Sequence, residues 1–504
     1  MMEILGSLGQ GFAVAFQPLN LFWCFVGVFL GTVVGVMPGL GPAATIAMLL
    51  PLTFKMPPTS AVIMLAGIYY GAKYGGSTTA ILLNVPGESA SVVTCLDGYQ
   101  MAKKGRAGAA LGIAAIASFI AGSVGVLALM LVAPPLAKFA LAFSSPEYFA
   151  LMTLGLAMVV LLAGESMVKA LLAMLVGLWI ASMGIDLFSD ASRFTFGQTE
   201  LLDGIDFVIV AIGIFALSEV LSNMETRDAG TLLPVPKGLR NLLPTLAELK
   251  ACRFAFLNGS VIGFIIGVLP GAGSTIASFI SYGVEKAVSR HPEKFGTGVP
   301  EGVAAPEGAN NSETGGALVP LLTLGIPGSG TTAILLAAFI LWGLRPGPLM
   351  IQDNPELFWG LVASMYVGNV MLLVLNLPLI PLFAQILKIP AFLLYPVIFG
   401  ISTVGVYAVS GSLFDCGMLA VFGLLGYVMR RLDYPSAPLI LGLVLGDSME
   451  RALRQSLMMS QGDPSILVSR PISATMLLLA VVLLLLPMFR KVNSWRVRAI
   501  EENG

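Results

Sequence analysis

Apolar runs of membrane-spanning character recur along the whole chain: Leu21–Met37, Gly108–Ala133, Tyr148–Ala163, Val168–Met183, Phe207–Leu221, Leu357–Leu382, Phe392–Val409, Met418–Met429 and Met476–Met488. A helix needs about 20 apolar residues to cross the hydrocarbon, fewer where the bilayer thins. Hydrophobic residues make up 57% and charged residues 11% of the 504 positions, against roughly 45–50% and 25% in soluble domains. No water-soluble fold of this length could hide so much apolar surface. The expected fold is an all-α polytopic membrane protein with roughly ten to twelve transmembrane or half-membrane helices. The opening MMEILGSLGQGF has no basic n-region or small-residue cleavage site, so no removable signal peptide is expected. A formal net charge of −1 provides no field that would recruit nucleic acid.

Similar segments appear twice in the same order. GTVVGVMPGLG (Gly31–Gly41) returns as GFIIGVLPGAG (Gly263–Gly273), and GGSTTAILLNVPG (Gly75–Gly87) as GGALVPLLTLGIPG (Gly315–Gly328). A weaker echo joins the segment ending at Asp186 to the one ending at Asp433. The pattern predicts a first membrane repeat over 1–222, a cytoplasmic linker over 223–253, a second repeat over 254–489 and a basic cytoplasmic tail over 490–504. Basic residues favour cytoplasmic loops. The second Pro-Gly element lies between the linker's Lys250 and Arg253 and the loop's Lys286, Arg290 and Lys294, whereas the first is flanked only by Glu3 and Lys55. That contrast predicts inverted-topology repeats, each with a re-entrant hairpin and a broken helix, as in many secondary transporters.

Four Pro-Gly pairs mark the breaks: Pro38-Gly39, Pro86-Gly87, Pro270-Gly271 and Pro327-Gly328. Proline removes a helical donor and glycine accepts positive φ, so each pair can end a helix inside the membrane. The freed backbone groups survive there only in protein or beside a wet cavity. Bare N–H groups suit an anion, and exposed carbonyls suit Na⁺. Candidate substrate-binding residues are therefore Gly39, Gly41, Asn84, Gly87, Glu88, Ser89, Gly271, Gly273, Ser274, Gly328, Ser329 and Thr331. Candidate cation ligands are Ser77, Thr78, Thr79, Asn310, Asn311, Ser312 and Thr314, whose hydroxyl and amide oxygens suit an alkali ion. The same hydroxyls could equally be interhelical glue, worth about 0.6 kcal/mol per hydrogen bond in membranes. Glu88, Glu307 and Glu313 could carry protons or ligate a cation, or lie at wet loop ends. Asp186 and Asp433 read as interfacial caps, Asp447 as functional or helix-terminal, and His291 as a solvated loop residue.

Other chemistry lacks its residues. There is no G-x-x-x-x-G-K-[ST], H-E-x-x-H or G-x-S-x-G, and the four cysteines have no metal spacing. With one histidine, a His-ligated transition-metal cluster is excluded. An intramembrane aspartyl protease pairing Asp433 or Asp186 with Asp447 would not explain the paired breaks. A passive channel would tolerate broken helices, but a two-fold repeat of half-helices suits a carrier better.

The runs VMPGLGPAATIAMLLPLTF, LLNVPGESASVVTCLDGYQMAKKGRAGAALG and PEGANNSETGGALVPLLTLGIPGSGTTAILLAAFILWGLRPGPLM closely resemble the large membrane subunit of the tripartite tricarboxylate transporter family. SPEYFALMTLGL, RFTFGQTELLDGIDFVIVAIGIFALSEVL and YPSAPLILGLVLGDSMERALRQSLMMSQGD extend the resemblance nearly end to end. It implies a multi-pass permease of the bacterial inner membrane, not an enzyme, without a cofactor and coupled to Na⁺ or H⁺. It also implies two partners, a small four-span membrane subunit and a periplasmic solute-binding protein. The implied substrates are organic carboxylates, citrate and dicarboxylates among them. Trp342 and Asp447 stand where the family pattern has histidine and proline.

Overall fold

The apolar runs fold as helices, and proline sets the start of several helices in the chain. Pro18, Pro42, Pro58 and Pro355 each open a helix, where the missing N–H costs nothing. The computed structural model describes residues 2–37, 41–162, 166–186, 188–224, 233, 239–386 and 391–485. Its principal elements begin with α1 (Met2–Ala15), α2 (Pro18–Val36), α3 (Pro42–Leu49), α4 (Pro58–Leu83) and α5 (Ala107–Ala140). Then come α6 (Ser145–Leu162), α7 (Met167–Ala181) and a two-residue antiparallel pair, β1 (Gly184–Ile185) with β2 (Ser192–Arg193). After α8 (Phe207–Asn223) follow α9 (Arg253–Val268), α10 (Gly273–Val288), α11 (Glu301–Leu324) and α12 (Gly330–Leu341). The rest are α13 (Pro355–Asn376), α14 (Ile380–Ile386), α15 (Ala391–Ser410), α16 (Leu413–Arg431), α17 (Ser436–Met459) and α18 (Pro471–Leu485).

Five segments among the described residues are long and apolar enough to cross a bilayer: Pro18–Val36, Ala102–Ala140, Ser145–Leu162, Pro355–Asn376 and Leu413–Arg431. Shorter apolar helices, including α7, α8, α9 and α12, accompany them. Large apolar side chains stay exposed on α2 (Phe22, Phe25), α5 (Leu127, Leu131), α13 (Val370, Val374) and α16 (Val421, Leu424). Such faces suit lipid rather than water. The chain is thus an α-helical, multi-pass membrane protein. The run Leu357–Leu382 does not form one helix. Its helix ends at Asn376, and Ile380 starts another. Pro38, Gly39, residues 225–232 and 234–238 of the linker, and the basic tail lie outside the described residues.

Two compact units emerge. One comprises Met1–Ala140 and Asp206–Leu432; the other holds Leu141–Ile205 and the described residues from Asp433 onward. In the second unit, α7 meets α17 at two glycines: a Cβ on Gly177 would lie 2.0 Å from Leu439 O, and one on Gly442 2.6 Å from Met174 O. An ionic knot closes the β1–β2 end. Asp186 accepts the Phe188 N–H at 2.8 Å and the Arg454 fork at 2.8 and 3.1 Å. The Phe188 N–H and the Arg454 guanidinium hold its carboxyl down to about 2. Asp186 therefore closes the turn at Phe188 and Ser189 rather than the end of α7, whose C-cap is Ser182. Asp433 starts a turn with φ 53°, and Asp447 pairs with Arg451 one helical turn on, both half-exposed. His291 is exposed and faces Glu293.

In the first unit, glycine at every fourth position brings backbones together. On α2, a Cβ at Gly27, Gly31 or Gly35 would fall 2.1–2.6 Å from the carbonyl oxygens of Met64, Ile68 and Ala72 on α4. On α9, a Cβ at Gly259, Gly263 or Gly267 would fall 2.3–2.7 Å from those of Ala305, Ala309 and Glu313 on α11. Small residues at this spacing are how membrane helices gain contact when lipid provides no hydrophobic drive. α5 closes on α11 in the same way, with Gly125 against Ser312 and Gly315. As a result Ser60–Leu82 of α4 and Gly302–Thr323 of α11 are buried throughout, so none of their polar side chains meets lipid.

This packing makes a signed prediction. Gly35→Ala and Gly263→Ala should each destabilise the protein by about 1–3 kcal/mol, the usual cost of overpacking. Gly283→Ala on α10 has nothing within 4 Å and should be neutral or stabilising, by up to about 1 kcal/mol of helix propensity. Thermal unfolding in detergent reads both. Equal midpoints for all three variants would remove the backbone contacts as a source of stability.

Candidate functional site

Both buried helices end in the same way. α4 stops at Leu83 with Asn84 in the left-handed region (φ 59°), and α11 at Leu324 with Gly325 there (φ 69°). Pro86-Gly87 and Pro327-Gly328 follow, and each is succeeded by a capped turn. The Glu88 N–H donates to Ser91 Oγ at 3.3 Å, and the Ser329 N–H to Thr332 Oγ1 at 2.8 Å. Ser329 Oγ also accepts the Thr332 N–H at 3.3 Å, opening α12. The third break is a turn between α9 and α10, with Gly271 at φ 86° and Gly273 at φ 64°. Its Gly271 N–H donates to Gly328 O at 2.7 Å, and Thr275 Oγ1 to Ser89 Oγ at 3.0 Å. One hairpin therefore touches the breaks of both α4 and α11. Gly39 lies outside the described residues; Gly41 precedes α3 in open space.

Between the breaks lies a polar cluster sealed from solvent. Lys73 on α4 is fully buried; its Nζ donates to Glu313 Oε2 at 2.6 Å and to Asn310 O at 3.0 Å. Tyr69, one turn earlier, donates to the same Glu313 oxygen at 3.1 Å. Asn310 Nδ2 donates to Glu88 Oε1 at 2.7 Å. Glu307 is met by hydroxyls: Ser77 Oγ donates to Oε2 at 2.5 Å, and Thr94 Oγ1 donates to Oε1. Asn311 Nδ2 reaches Ser118 Oγ on α5 at 2.7 Å and Glu307 O at 3.1 Å. Tyr74 donates to Asn369 Oδ1 on α13 at 2.6 Å. Thr78 and Ser77 line a small cavity with Tyr74, Ser118 and Asn376.

The sequence candidates thus separate by partner. Glu88, Ser77 and Asn310 join the charged cluster, with Asn311 beside it, while Ser89, Gly271 and Gly328 meet at the hairpin. Thr79 donates to Val36 O at 2.5 Å and Ser312 to Ser260 O at 2.6 Å, so both hydroxyls tie neighbouring helices. Thr331 is buried in the first turn of α12, and Gly87 packs on Gly35 O. Ser274 follows Gly273 in the first turn of α10 and is half-buried. Tyr69, Thr94, Ser118, Thr275 and Asn369 escaped the sequence reading. Tyr69 alone left a signal, four residues before Lys73 on one helical face.

Three buried acceptors on α11 have no hydrogen-bond partner among the described residues: Asn310 Oδ1, Asn311 Oδ1 and Thr314 Oγ1. The Asn311 amide cannot turn round to satisfy its oxygen, because its Nδ2 donates to the backbone carbonyl of Glu307, which only accepts; Asn310 keeps its orientation while Glu88 is ionised. Buried, unmatched oxygens of this kind call for a donor or a cation.

Comparison with known proteins agrees with this architecture. The family model described as "Tripartite tricarboxylate transporter TctA family" matches residues 21–441. An Agrobacterium vitis protein named "Uncharacterized 52.8 kDa protein in TAR-I ttuC' 3'region" is 49% identical over 496 residues, 97% of this chain and 98% of the relative. A second from that organism, "Uncharacterized protein in TAR-II ttuC' 3'region", is 44% identical over 241 residues, 48% of this chain and 100% of the relative. No solved structure matches. The buried broken helices, the apolar exterior and the match over most of its length together place this chain in the tripartite tricarboxylate transporter TctA family, as a large membrane permease subunit and not an enzyme.

Proposed function

We propose that this permease imports tricarboxylates or related organic carboxylates across the bacterial inner membrane, driven by Na⁺ or protons. A periplasmic solute-binding protein delivers the substrate, and a small four-span membrane subunit completes the complex. The observation that carries this reading is the sealed cluster of Glu88, Glu307, Glu313 and Lys73 beside the helix breaks. Three carboxylates against one ammonium leave an excess of negative charge when all are ionised. Such an imbalance away from water is stable only with a cation or proton present. The orphan oxygens of Asn310, Asn311 and Thr314 are hard ligands for that cation. The N–H groups of Gly273 and Ser274 at the start of α10, and of Gly330 and Thr331 just after the capped Ser329 of α12, suit the substrate carboxylates. Membrane vesicles holding all three components should accumulate labelled citrate or another organic acid when a Na⁺ or proton gradient is imposed. Without the binding protein, uptake at micromolar substrate should be nearly lost. Accumulation that requires ATP and ignores both gradients would sink the reading.

Residues 1–222 and 254–489 are read as inverted repeats. Cysteines introduced at Gly41 and Gly273 should then be labelled by an impermeant reagent from opposite sides of the membrane, the first from the periplasm. Labelling of both from one side rules the inversion out.

Ligands and interhelical ties respond differently to truncation. Asn310→Ala should abolish transport per folded molecule; it also removes the Nδ2 donor to the buried Glu88 carboxylate, so a stability loss of about 1–3 kcal/mol accompanies it. Ser312→Ala removes a hydrogen bond to α9 worth about 0.6 kcal/mol and should leave transport per folded molecule intact. Uptake assays normalised to folded protein compare the two, and the reverse pattern would make Asn310 a packing residue.

A further inference from the structure

The α9–α10 hairpin carries a second feature at its base, away from the helix breaks. Each arm has 16 residues, so the base lies about 24 Å from the tip at 1.5 Å per residue. A cleft of about 770 Å³ runs between the arms there, within the range of roughly 300–1,000 Å³ common to ligand sites. Its walls are Phe254, Leu257 and Val261 of α9 with Val284 and Val288 of α10. Each of these side chains is at least 39% exposed. Ile265 and Ile280 are exposed too, and at helical spacing they carry the two stripes on towards the tip. On a membrane protein such a furrow holds lipid chains, because water in it would leave the apolar walls hydrated.

The mouth of the cleft is charged. Arg253, Arg290 and Glu301 line it, and none of the three has an ion-pair partner among the described residues. The Arg253 guanidinium rests on the Phe254 ring, 4.8 Å from its centroid, a contact that leaves its N–H edge open. Glu285 lies deeper, 5% exposed, and already accepts from Asn258 Nδ2 at 2.8 Å. His291 sits against Glu293. The mouth therefore leaves two guanidiniums and one carboxylate unmatched. A guanidinium fork suits a phosphate, and the carboxylate suits a primary ammonium, which donates three hydrogen bonds. A headgroup with negative charge alone would supply the phosphate and leave Glu301 without a donor. A choline headgroup has no N–H to give it.

We propose that the base of the α9–α10 hairpin is a phospholipid site selective for phosphatidylethanolamine. An acyl chain lies in the furrow, the phosphate meets Arg253 and Arg290, and the headgroup ammonium meets Glu301. Seated between the arms, the lipid braces the base of the hairpin whose tip touches the breaks of α4 and α11. The site stands apart from the import reading above and does not depend on it.

Native mass spectra of the purified full-length chain test the assignment. The delipidated protein is offered equal amounts of dioleoyl phosphatidylethanolamine, phosphatidylglycerol and phosphatidylcholine. The wild type should retain phosphatidylethanolamine over both rivals and unfold at a higher temperature with it bound. The double variant Arg253→Gln/Arg290→Gln should bind it about tenfold more weakly or worse, as expected on losing hydrogen bonds to a charged group. Val261→Trp, which fills the furrow from an exposed position, should weaken binding with every charge in place, and it keeps the test open if the double variant fails to fold. Glu301→Gln should still bind phospholipid and lose the preference for phosphatidylethanolamine over phosphatidylcholine. A wild type that prefers phosphatidylglycerol, or that retains none of the three, overturns the proposal. So does undiminished binding in both the double variant and Val261→Trp, or an unchanged preference in Glu301→Gln. Expulsion of the bound lipid when the small membrane subunit is added overturns it as well, and makes this face a subunit interface instead.

Discussion

Backbone contact between glycine-bearing helices is the constraint on which the rest of the structure depends. Lipid is as apolar as leucine, so helices in it gain little from burying more leucine. Removing side chains lets α2 close on α4, and α9 on α11, until only backbone separates them. That closeness has a second effect. It surrounds α4 and α11 with protein along nearly their full length, and so lets them carry lysine, glutamate and asparagine at membrane depth. The charged cluster is affordable because the glycines exclude lipid from it.

The cluster in turn ties α4 to α11 by more than their backbones. Lys73 and Glu313 come from helices far apart in sequence and form a buried ion pair. Breaking such a pair by removing one partner typically costs about 3–5 kcal/mol, because the survivor is left charged and unmatched. This pair fixes the register of α4 against α11, and with it the positions of Glu307, Asn310 and Glu88.

Much of this was legible in the sequence. Pro86-Gly87 and Pro327-Gly328 marked the helix ends, and the matched glycine segments marked helices that now prove to be built alike. The polar residues near those breaks were found, but not their roles. Thr79 and Ser312 look like Ser77 and Asn311 in sequence, and only the partner across the helix interface separates them. Thr94, Ser118 and Asn369 were invisible for a related reason. Each reaches its partner from a segment whose proximity is set by tertiary packing, and no spacing rule within one helix encodes that.

The hairpin between α9 and α10 is held to its surroundings very differently from the ion pair. At its tip, one backbone hydrogen bond joins Gly271 to Gly328, and one hydroxyl contact joins Thr275 to Ser89. Polar contacts in membranes average about 0.6 kcal/mol, no more than thermal energy at room temperature. Farther along the same arm the hold is closer: Ser278 Oγ donates to Pro306 O at 3.1 Å and Ser281 Oγ to Ala305 O at 3.0 Å, which tie α10 to α11. The hairpin thus rests its lightly fastened tip on the two helix breaks while its arm is anchored in the frame.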